Sequence, residues 1–354
     1  MDSPGREVVM DTQQLISTAR TLVAPGKGIL AADESGGTIK RRFGSVNVES
    51  TETSRRDYRE MLFRADGAAD YISGVILFDE TVRQSGADGT PLVKVLADQG
   101  VIPGIKVDTG AGPLAGAEGE TVTEGLDGLR NRLAAYRELG ARFTKWRGVI
   151  TIGDGIPSCY CIETNAHALA RFAVLSQETG LVPIVEPEVL MDGSHGIGRC
   201  AEVTEATLRE VFYQLGNQGV ILEGMLLKPN MVLSGSSAAD RAGPEEVARR
   251  TIASFKRTVL SAVPGIVFLS GGQDDEEATT NLDAINRQAA VVGAPWQLSF
   301  SYGRGLQAAP LKAWSGKVEN VPHAQRVYLH RMRVTSAARQ GSYTPDMEKD
   351  LATV

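Results

Sequence analysis

The chain has 354 residues, of which 42% are apolar and 23% are charged, and its formal net charge is −6. This composition is typical of a globular protein and excludes a collagen, a coiled-coil rod and an intrinsically disordered chain. The negative charge argues against nucleic acid as a partner. No apolar run reaches the roughly 20 residues of a membrane-spanning helix, so we expect no membrane insertion.

Short apolar runs, rich in β-branched residues, recur along the chain at intervals of roughly 30–45 residues. Each is five to eight residues long, the length of a buried strand. The runs are Gly28–Asp33, Tyr71–Phe78, Gly104–Asp108, Ala141–Arg147, Leu181–Glu188, Ile221–Lys228, Gly265–Ser270 and Gln297–Gly303.

Helical patterns fill the gaps between these runs. Three of them precede a glycine, which favours helix termination, and one opens with a proline, which suits a first helical turn. The clearest are Glu124–Leu139, Thr164–Thr179, a helix opened by Gly243–Pro244, and Asp274–Val292.

Alternation of strands and helices predicts parallel strands joined by crossover helices. Eight strands favour an α/β fold of the (β/α)₈ TIM barrel type. An open doubly wound sheet is the alternative, but its glycine-rich first turn, G-x-G-x-x-G, is absent after the first run. We expect one domain over residues 1–354 with a polar C-terminal tail from about residue 338.

The three cysteines and the N-terminal residues bear on the compartment. Cys159, Cys161 and Cys200 are too few for a disulfide framework and lack zinc-site spacing. The N-terminal residues have neither the apolar block of a signal peptide nor the arginines of a transit peptide. We therefore expect a cytoplasmic, reducing environment.

Charged or small polar residues stand at the C-terminal ends of seven of the runs. Each alone could be a solvated strand end, a cap or a turn, but buried lysines and acids are rare unless they are paired. In a barrel these ends meet on the face where active sites lie. The set is Asp33, Lys106, Lys145, Arg147, Glu186, Glu188, Lys228, Ser270–Gly272 and Ser301–Arg304.

This set favours chemistry by a lysine nucleophile. A lysine attacks a ketone or aldehyde only when it is neutral, and burial beside another cation favours the neutral form, as Lys145 across the barrel mouth would do for Lys228. The resulting protonated imine is an electron sink, so a bond at the adjacent carbon can break. Glu186, Glu188 and Asp33 could move the protons that these steps require.

Cations gather on the same face of an acidic chain, which predicts an anionic substrate. Barrels commonly bind a phosphate with the turns after strands 7 and 8, here Ser270–Gly272 and Ser301–Arg304. A second group comes from strands 1 and 3, so the two sites together would suit a bisphosphate. The second group is Ser35, Thr38, Arg41, Arg42 and Lys106.

Seven segments resemble, in the same order, the conserved blocks of the class I fructose-1,6-bisphosphate aldolase family. The segment VILEGMLLKPN resembles that family's Schiff-base signature. The seven are Lys27–Ser35, Gly104–Asp108, Lys145–Arg147, Val185–Glu188, Val220–Asn230, Phe268–Gln273 and Phe300–Arg304.

The resemblance implies reversible cleavage of fructose 1,6-bisphosphate in glycolysis and gluconeogenesis, by a homotetramer of barrels that needs no metal ion and no cofactor. It implies that Lys228 forms the imine and that Glu186 is the acid–base group. It also implies that Asp33 takes the C4-hydroxyl proton, while Lys145 and Glu188 assist. The implied ketone-side phosphate ligands are Ser270, Gly271, Ser301, Gly303 and Arg304, with Arg42 nearby. The implied ligands at the other end are Ser35, Thr38, Arg41 and Lys106.

Three other hypotheses are open at this point. A metal-dependent aldolase would need ligands such as histidine, and none of the four histidines lies at a predicted strand end. A different Schiff-base lyase, such as a transaldolase-like enzyme, would need one phosphate site. The same barrel could also bind a cytoskeletal or other protein partner through its surface.

The sequence departs from the family pattern near its C-terminus. Its last tyrosine is Tyr343, whereas many animal members of the aldolase family end in a tyrosine on a mobile tail.

Overall fold

The computed structural model describes residues 11–349, and the expectations for residues 1–10 and 350–354 lie outside that range. The strands are β1 Gly28–Ala32, β2 Ile72–Leu77, β3 Ile102–Lys106, β4 Gly110–Pro113, β5 Thr121–Glu124, β6 Phe143–Ile150, β7 Val182–Val189, β8 Leu226–Leu227, β9 Gly265–Phe268 and β10 Gln297–Tyr302.

The α-helices surround and cap these strands. They are α1 Thr12–Leu22, α2 Gly36–Gly44, α3 Glu52–Phe63, α4 Asp79–Val82, α5 Leu92–Asp98, α6 Leu129–Glu138, α7 Cys159–Glu178, α8 Ile197–Asn217, α9 Pro244–Thr258, α10 Asp275–Val292, α11 Arg304–Trp314 and α12 Val321–Arg339. Short 3₁₀ helices cover Ala68–Asp70, Leu222–Gly224, Val318–Asn320 and Pro345–Lys349. No helix within residues 11–349 is long and apolar enough to cross a membrane.

Eight parallel strands close into a barrel, which confirms the predicted fold. The order around the barrel is β1-β10-β9-β8-β7-β6-β3-β2, so β1 pairs with both β2 and β10. The register places Lys106 of β3 opposite Lys145 of β6, and Arg147 of β6 opposite Glu186 of β7. Charged residues of neighbouring strands therefore reach the same end of the barrel at the same height.

Apolar side chains fill the barrel interior and leave its C-terminal end to polar groups. Ile29, Phe143 and Val267 belong to an interior cluster of fully buried residues. Leu15 and Leu22 of α1 belong to the same cluster, so this helix covers the N-terminal end of the barrel. The alternate residues of the strands pack outward against the helical layer in a larger core.

Three sequence predictions differ from the structure. The helix expected over Glu124–Leu139 begins only at Leu129, because Thr121–Glu124 pairs as β5 with β4, and Gly125 and Gly128 have left-handed φ angles of 122° and 66°. The run Ile221–Lys228 contributes only Leu226–Leu227 as strand, since a 3₁₀ turn precedes it.

The third difference is α7, which begins at Cys159 rather than Thr164. The hydroxyl of Ser158 accepts a hydrogen bond from the N–H of Cys161 and caps the helix. The other two helix starts are confirmed: Pro244 opens α9, and Asp274 caps α10 by accepting from the N–H of Glu277 at 2.8 Å.

The last helix returns to the loop that precedes the first strand. Ser336 Oγ of α12 donates to the carbonyl of Gly26 at 2.6 Å, and Arg339 Nη2 donates to the carbonyl of Val23 at 2.6 Å. Beyond α12, Glu348 of the Pro345–Lys349 turn accepts from Arg331, and Tyr343 Oη donates to Glu348 Oε1 at 3.3 Å. Segments near both ends of the chain are thus held against the barrel.

Gly104→Ala is expected to destabilise the fold, because a Cβ at this β3 position would clash with the ring of Phe143. Overpacking of this kind costs about 1–3 kcal/mol. Gly216→Ala is the matched control: it lies exposed within α8 with free space around it, and we expect stabilisation of about 0.5 kcal/mol. Urea unfolding measures both variants, and equal stability of the two would contradict the packing argument.

Candidate active site

A cavity of about 730 Å³ opens at the C-terminal ends of the barrel strands. The five predicted catalytic residues and most of the predicted phosphate ligands line it, while Arg41 and Gly272 do not. Arg41 is exposed on α2, and Gly272 is exposed beside Met191. The predicted residues that line the cavity are Asp33, Ser35, Thr38, Arg42, Lys106, Lys145, Arg147, Glu186, Glu188, Lys228, Ser270, Gly271, Ser301, Gly303 and Arg304.

Four buried charges form the centre of the cavity. Lys145 Nζ lies 2.6 Å from Asp33 Oδ2 and 3.1 Å from Glu186 Oε2. Glu186 Oε1 lies 3.2 Å from Lys228 Nζ. Because β6 and β7 carry Lys145 and Glu186 while β1 and β8 end beside Asp33 and Lys228, four strands fix the positions of these groups.

Burial and ion pairing oppose each other in this cluster. Burial disfavours the charged form of Asp33, but the attraction of Lys145 and Lys228 is larger, so the pKa of this carboxyl is well below its ordinary value. The same balance lowers the pKa of Glu186. Burial would lower the pKa of Lys145, yet Asp33 and Glu186 raise it. Two carboxylates and a fixed ammonium therefore surround Lys228 at neutral pH.

The turns after β9 and β10 form one wall of the cavity. Gly271 has a φ of 57°, which favours glycine, and Arg304 Nη2 donates to the carbonyls of Gly271 and Gln273 at 3.0 and 2.9 Å. The hydroxyl of Ser301 is buried and has no hydrogen-bond partner within the described residues. A buried donor without a partner costs free energy, which a bound anion would recover.

Three further cations of the cavity each pair with a neighbouring acid. Arg147 pairs with Glu188, and Lys106 pairs with Asp108. Arg42 pairs with Glu34, which also accepts from Gln307 Nε2 at 2.7 Å. Ser35 Oγ lies 3.2 Å from Thr38 Oγ1 at the start of α2.

Sequence reasoning missed one wall of the cavity, which the β4–β5 hairpin and α6 form. Glycine-rich β4 has no apolar alternation, and the β-branched TVTE of β5 is the signal that could have indicated a strand here. Glu34 and Asp108 were also missed as site residues, although Glu34 follows the run that ends at Asp33 and Asp108 is the last residue of the predicted run Gly104–Asp108. The missed lining residues of the wall are Thr109, Gly110, Ala111, Thr123, Arg132 and Tyr136.

A metal centre has no support in the geometry. Across residues 11–349, no three or more His, Cys, Asp or Glu side chains are grouped so that they could hold a metal ion. The acids of the cavity point instead at ammonium and guanidinium groups, as the ion pairs above show.

Comparison with known proteins gives one consistent family. The family model of class-I fructose-bisphosphate aldolase matches residues 14–353. A probable fructose-bisphosphate aldolase class 1 of Xanthomonas campestris is 56% identical over 94% of this chain and 99% of its own length. The cytosolic fructose-bisphosphate aldolase 4 of Arabidopsis thaliana is 54% identical over 97% of this chain and 87% of its own length.

A solved structure shows the same fold. The fructose-bisphosphate aldolase of Plasmodium falciparum, crystallised in complex with TRAP and a small-molecule inhibitor, superposes with a TM-score of 0.92. It is 46% identical in sequence, and the match covers 97% of this chain and 98% of that one.

Lys145→Met is expected to destabilise the protein in a pH-dependent way. Asp33 and Glu186 have pKa values below their ordinary values of 3.8 and 4.5, so their pairing with Lys145 contributes fully to stability above these ordinary values and is lost as the pH falls below them. Breaking a buried pair costs about 3 kcal/mol near pH 7, and the difference from the wild type should shrink only as the pH falls below about 4.

Urea unfolding at several pH values measures this difference. Lys94→Met is the control, because its ion pair with Asp98 is exposed and is worth at most about 1 kcal/mol. An unfolding free energy of Lys145→Met equal to that of the control at neutral pH would contradict the analysis.

Proposed function

Since the chain belongs to the class-I fructose-bisphosphate aldolase family, whose members cleave fructose 1,6-bisphosphate reversibly through a lysine Schiff base, we propose that Lys228 is that lysine. The products of the reaction are dihydroxyacetone phosphate and glyceraldehyde 3-phosphate. The observation that carries the assignment is Glu186, whose two carboxylate oxygens lie 3.2 Å from Lys228 Nζ and 3.1 Å from Lys145 Nζ.

In the first half of the reaction, Lys228 Nζ attacks the C2 carbonyl of the substrate. Glu186 is within hydrogen-bond reach of this nitrogen, so it takes a proton from the ammonium and later returns one to the carbinolamine hydroxyl, which leaves as water. Lys145 favours the ionised form of Glu186 before the first transfer and after the second, and Glu188 pairs with Arg147 beside it. The product of this half is a protonated imine on Lys228.

In the second half, the bond between C3 and C4 breaks. Asp33 takes the proton of the C4 hydroxyl, the aldehyde product forms, and the bonding electrons move into the iminium to give an enamine. Lys145 at 2.6 Å keeps Asp33 ionised and so ready to accept that proton. Protonation of the enamine at C3 and hydrolysis of the imine then release dihydroxyacetone phosphate.

The cavity has two cationic walls, which support a substrate with two phosphates. A transaldolase-like lyase would instead use a substrate with one phosphate. Ser270, Gly271, Ser301, Gly303 and Arg304 would bind the ketone-side phosphate. Other predicted phosphate ligands that line the cavity would bind the aldehyde-side phosphate. Arg41 and Gly272 do not line the cavity and remain predictions from the sequence alone. The second wall comprises Ser35, Thr38, Lys106 and Arg147, whereas Arg42 lies beside Gly303 of the ketone-side wall.

The remaining proposals concern the whole protein. The continuous barrel supports a single domain over residues 1–354, and the family resemblance supports a homotetramer. The cytosolic names of plant relatives support a cytoplasmic location. The complex of the Plasmodium enzyme with TRAP supports a surface that binds a protein partner. We propose no metal and no cofactor.

Incubation with dihydroxyacetone phosphate followed by borohydride is expected to leave an adduct on the peptide that contains Lys228. Lys228→Met should abolish the adduct and the activity, whereas Lys256→Met, an exposed lysine on α9, should change neither. Peptide mass spectrometry with and without chelator locates the adduct. An adduct on another lysine, or loss of activity with chelator, would contradict the proposal.

Glu186→Gln is expected to lower kcat by about 10²–10⁴-fold, the usual contribution of a positioned acid–base group. Steady-state cleavage assays measure this loss, and Glu178→Gln on the surface of α7 is the control. A kcat for Glu186→Gln within threefold of the wild type would transfer the acid–base role to another residue.

A further inference from the structure

Asp108 is a buried acid of the cavity that the reaction above does not use. It lies two residues beyond the end of β3, and its side chain is only 3% exposed. Its carboxylate contacts three groups: Lys106 Nζ, the N–H of Gly110 at 3.2 Å and the N–H of Arg147 at 3.2 Å. All three residues line the cavity.

The contact with Arg147 arises because β3 is shorter than β6. The N–H of Val107 still bonds the carbonyl of Lys145 at 3.0 Å, but Arg132 Nη1 takes the carbonyl of Val107 at 2.8 Å. The next N–H of β6, that of Arg147, therefore has no backbone acceptor on β3. Asp108 Oδ2 replaces that acceptor and ties the end of β3 to β6.

The contact with Lys106 fixes the direction of its ammonium group. Lysine has three N–H donors. Two of them are used on Asp108, one on Oδ1 and one on its carbonyl oxygen at 2.9 Å. The third N–H donor of Lys106 is left for a ligand. Because Lys106 is more exposed than Asp108 and lines the cavity, a ligand can accept from this donor without breaking the ion pair.

We propose that Asp108 is a positioning residue for the aldehyde-side phosphate, because it holds the Lys106 ammonium and the Arg147 backbone in one arrangement facing the cavity. The proposal rests on the proposed function, which places that phosphate on this wall. Asp108 forms no ion pair or hydrogen bond with Lys228 or Glu186 among the described residues, so we expect its removal to affect substrates that carry a phosphate at C6 most strongly.

Asp108→Ala is the test, with Asp108→Asn as the variant that keeps the size of the side chain. Without Asp108 the Lys106 side chain is no longer held in place, so the substrate must order it at a cost in conformational entropy. We therefore expect KM for fructose 1,6-bisphosphate to rise about tenfold in Asp108→Ala and less in Asp108→Asn. The kcat/KM for fructose 1-phosphate should fall much less than that for the bisphosphate, and the borohydride-trapped adduct with dihydroxyacetone phosphate should still form, since both ligands lack that phosphate. Asp98→Ala, an exposed acid on α5, is the matched control.

Two results would overturn the inference. One is a KM for the bisphosphate that is unchanged or lowered in both variants. A lowered KM would mean that Asp108 competes with the substrate phosphate for Lys106. The other is equal loss with both substrates together with loss of the adduct, which would make Asp108 a support of the whole site. Lys106→Met tests the proposed phosphate site separately from the role of Asp108. If this variant does not raise KM for the bisphosphate, the assignment of the aldehyde-side phosphate to this wall fails.

Discussion

The ammonium of Lys145 is the group on which the arrangement of charges in the cavity depends. It lies between the carboxylates of Asp33 and Glu186 at the top of the barrel, where Lys145 and Glu186 are buried and Asp33 is mostly buried. Unpaired, a buried charge of this kind would carry a desolvation penalty of several kcal/mol. Because the three groups lie on or directly after different strands, that penalty is offset only when the strands are in their closed order. Barrel closure and the pairing of these charges therefore depend on each other.

The barrel supplies rigid positions for the charged groups at the centre of the cavity. Lys145 and Glu186 stand on strands, and Asp33 and Lys228 directly follow strands, with interior side chains packed below and α1 covering the other end. The wall after β9 and β10 consists instead of turns, where Gly271 adopts a left-handed conformation. Under the proposed function, the reactive carbons of the substrate would lie over the fixed charges and a phosphate against the turns.

The parts of this fold that sequence predicted are those with a local signal. Apolar runs indicated the eight barrel strands, glycine stops and a proline start indicated four of the helices, and the charges after the runs indicated most of the cavity. The β4–β5 hairpin has too few apolar residues for a periodic signal, and β8 is two residues long because a 3₁₀ turn occupies the start of its run. Glu34 and Asp108 matter through partners far away in sequence, which no local pattern encodes. The exposure of Arg41 on α2 depends on the helix orientation, which is also set by tertiary packing.

The return of α12 to the loop before β1 has a consequence for synthesis on the ribosome. The first strand emerges early, but its second neighbour, β10, and the clasp from Ser336 and Arg339 to residues 23–26 come from the last part of the chain. Until those residues leave the exit tunnel, β1 has an unpaired edge that other chains could extend. During synthesis the barrel thus stays open until almost the whole chain has emerged from the ribosome. We therefore expect the nascent chain to need chaperone protection most just before termination.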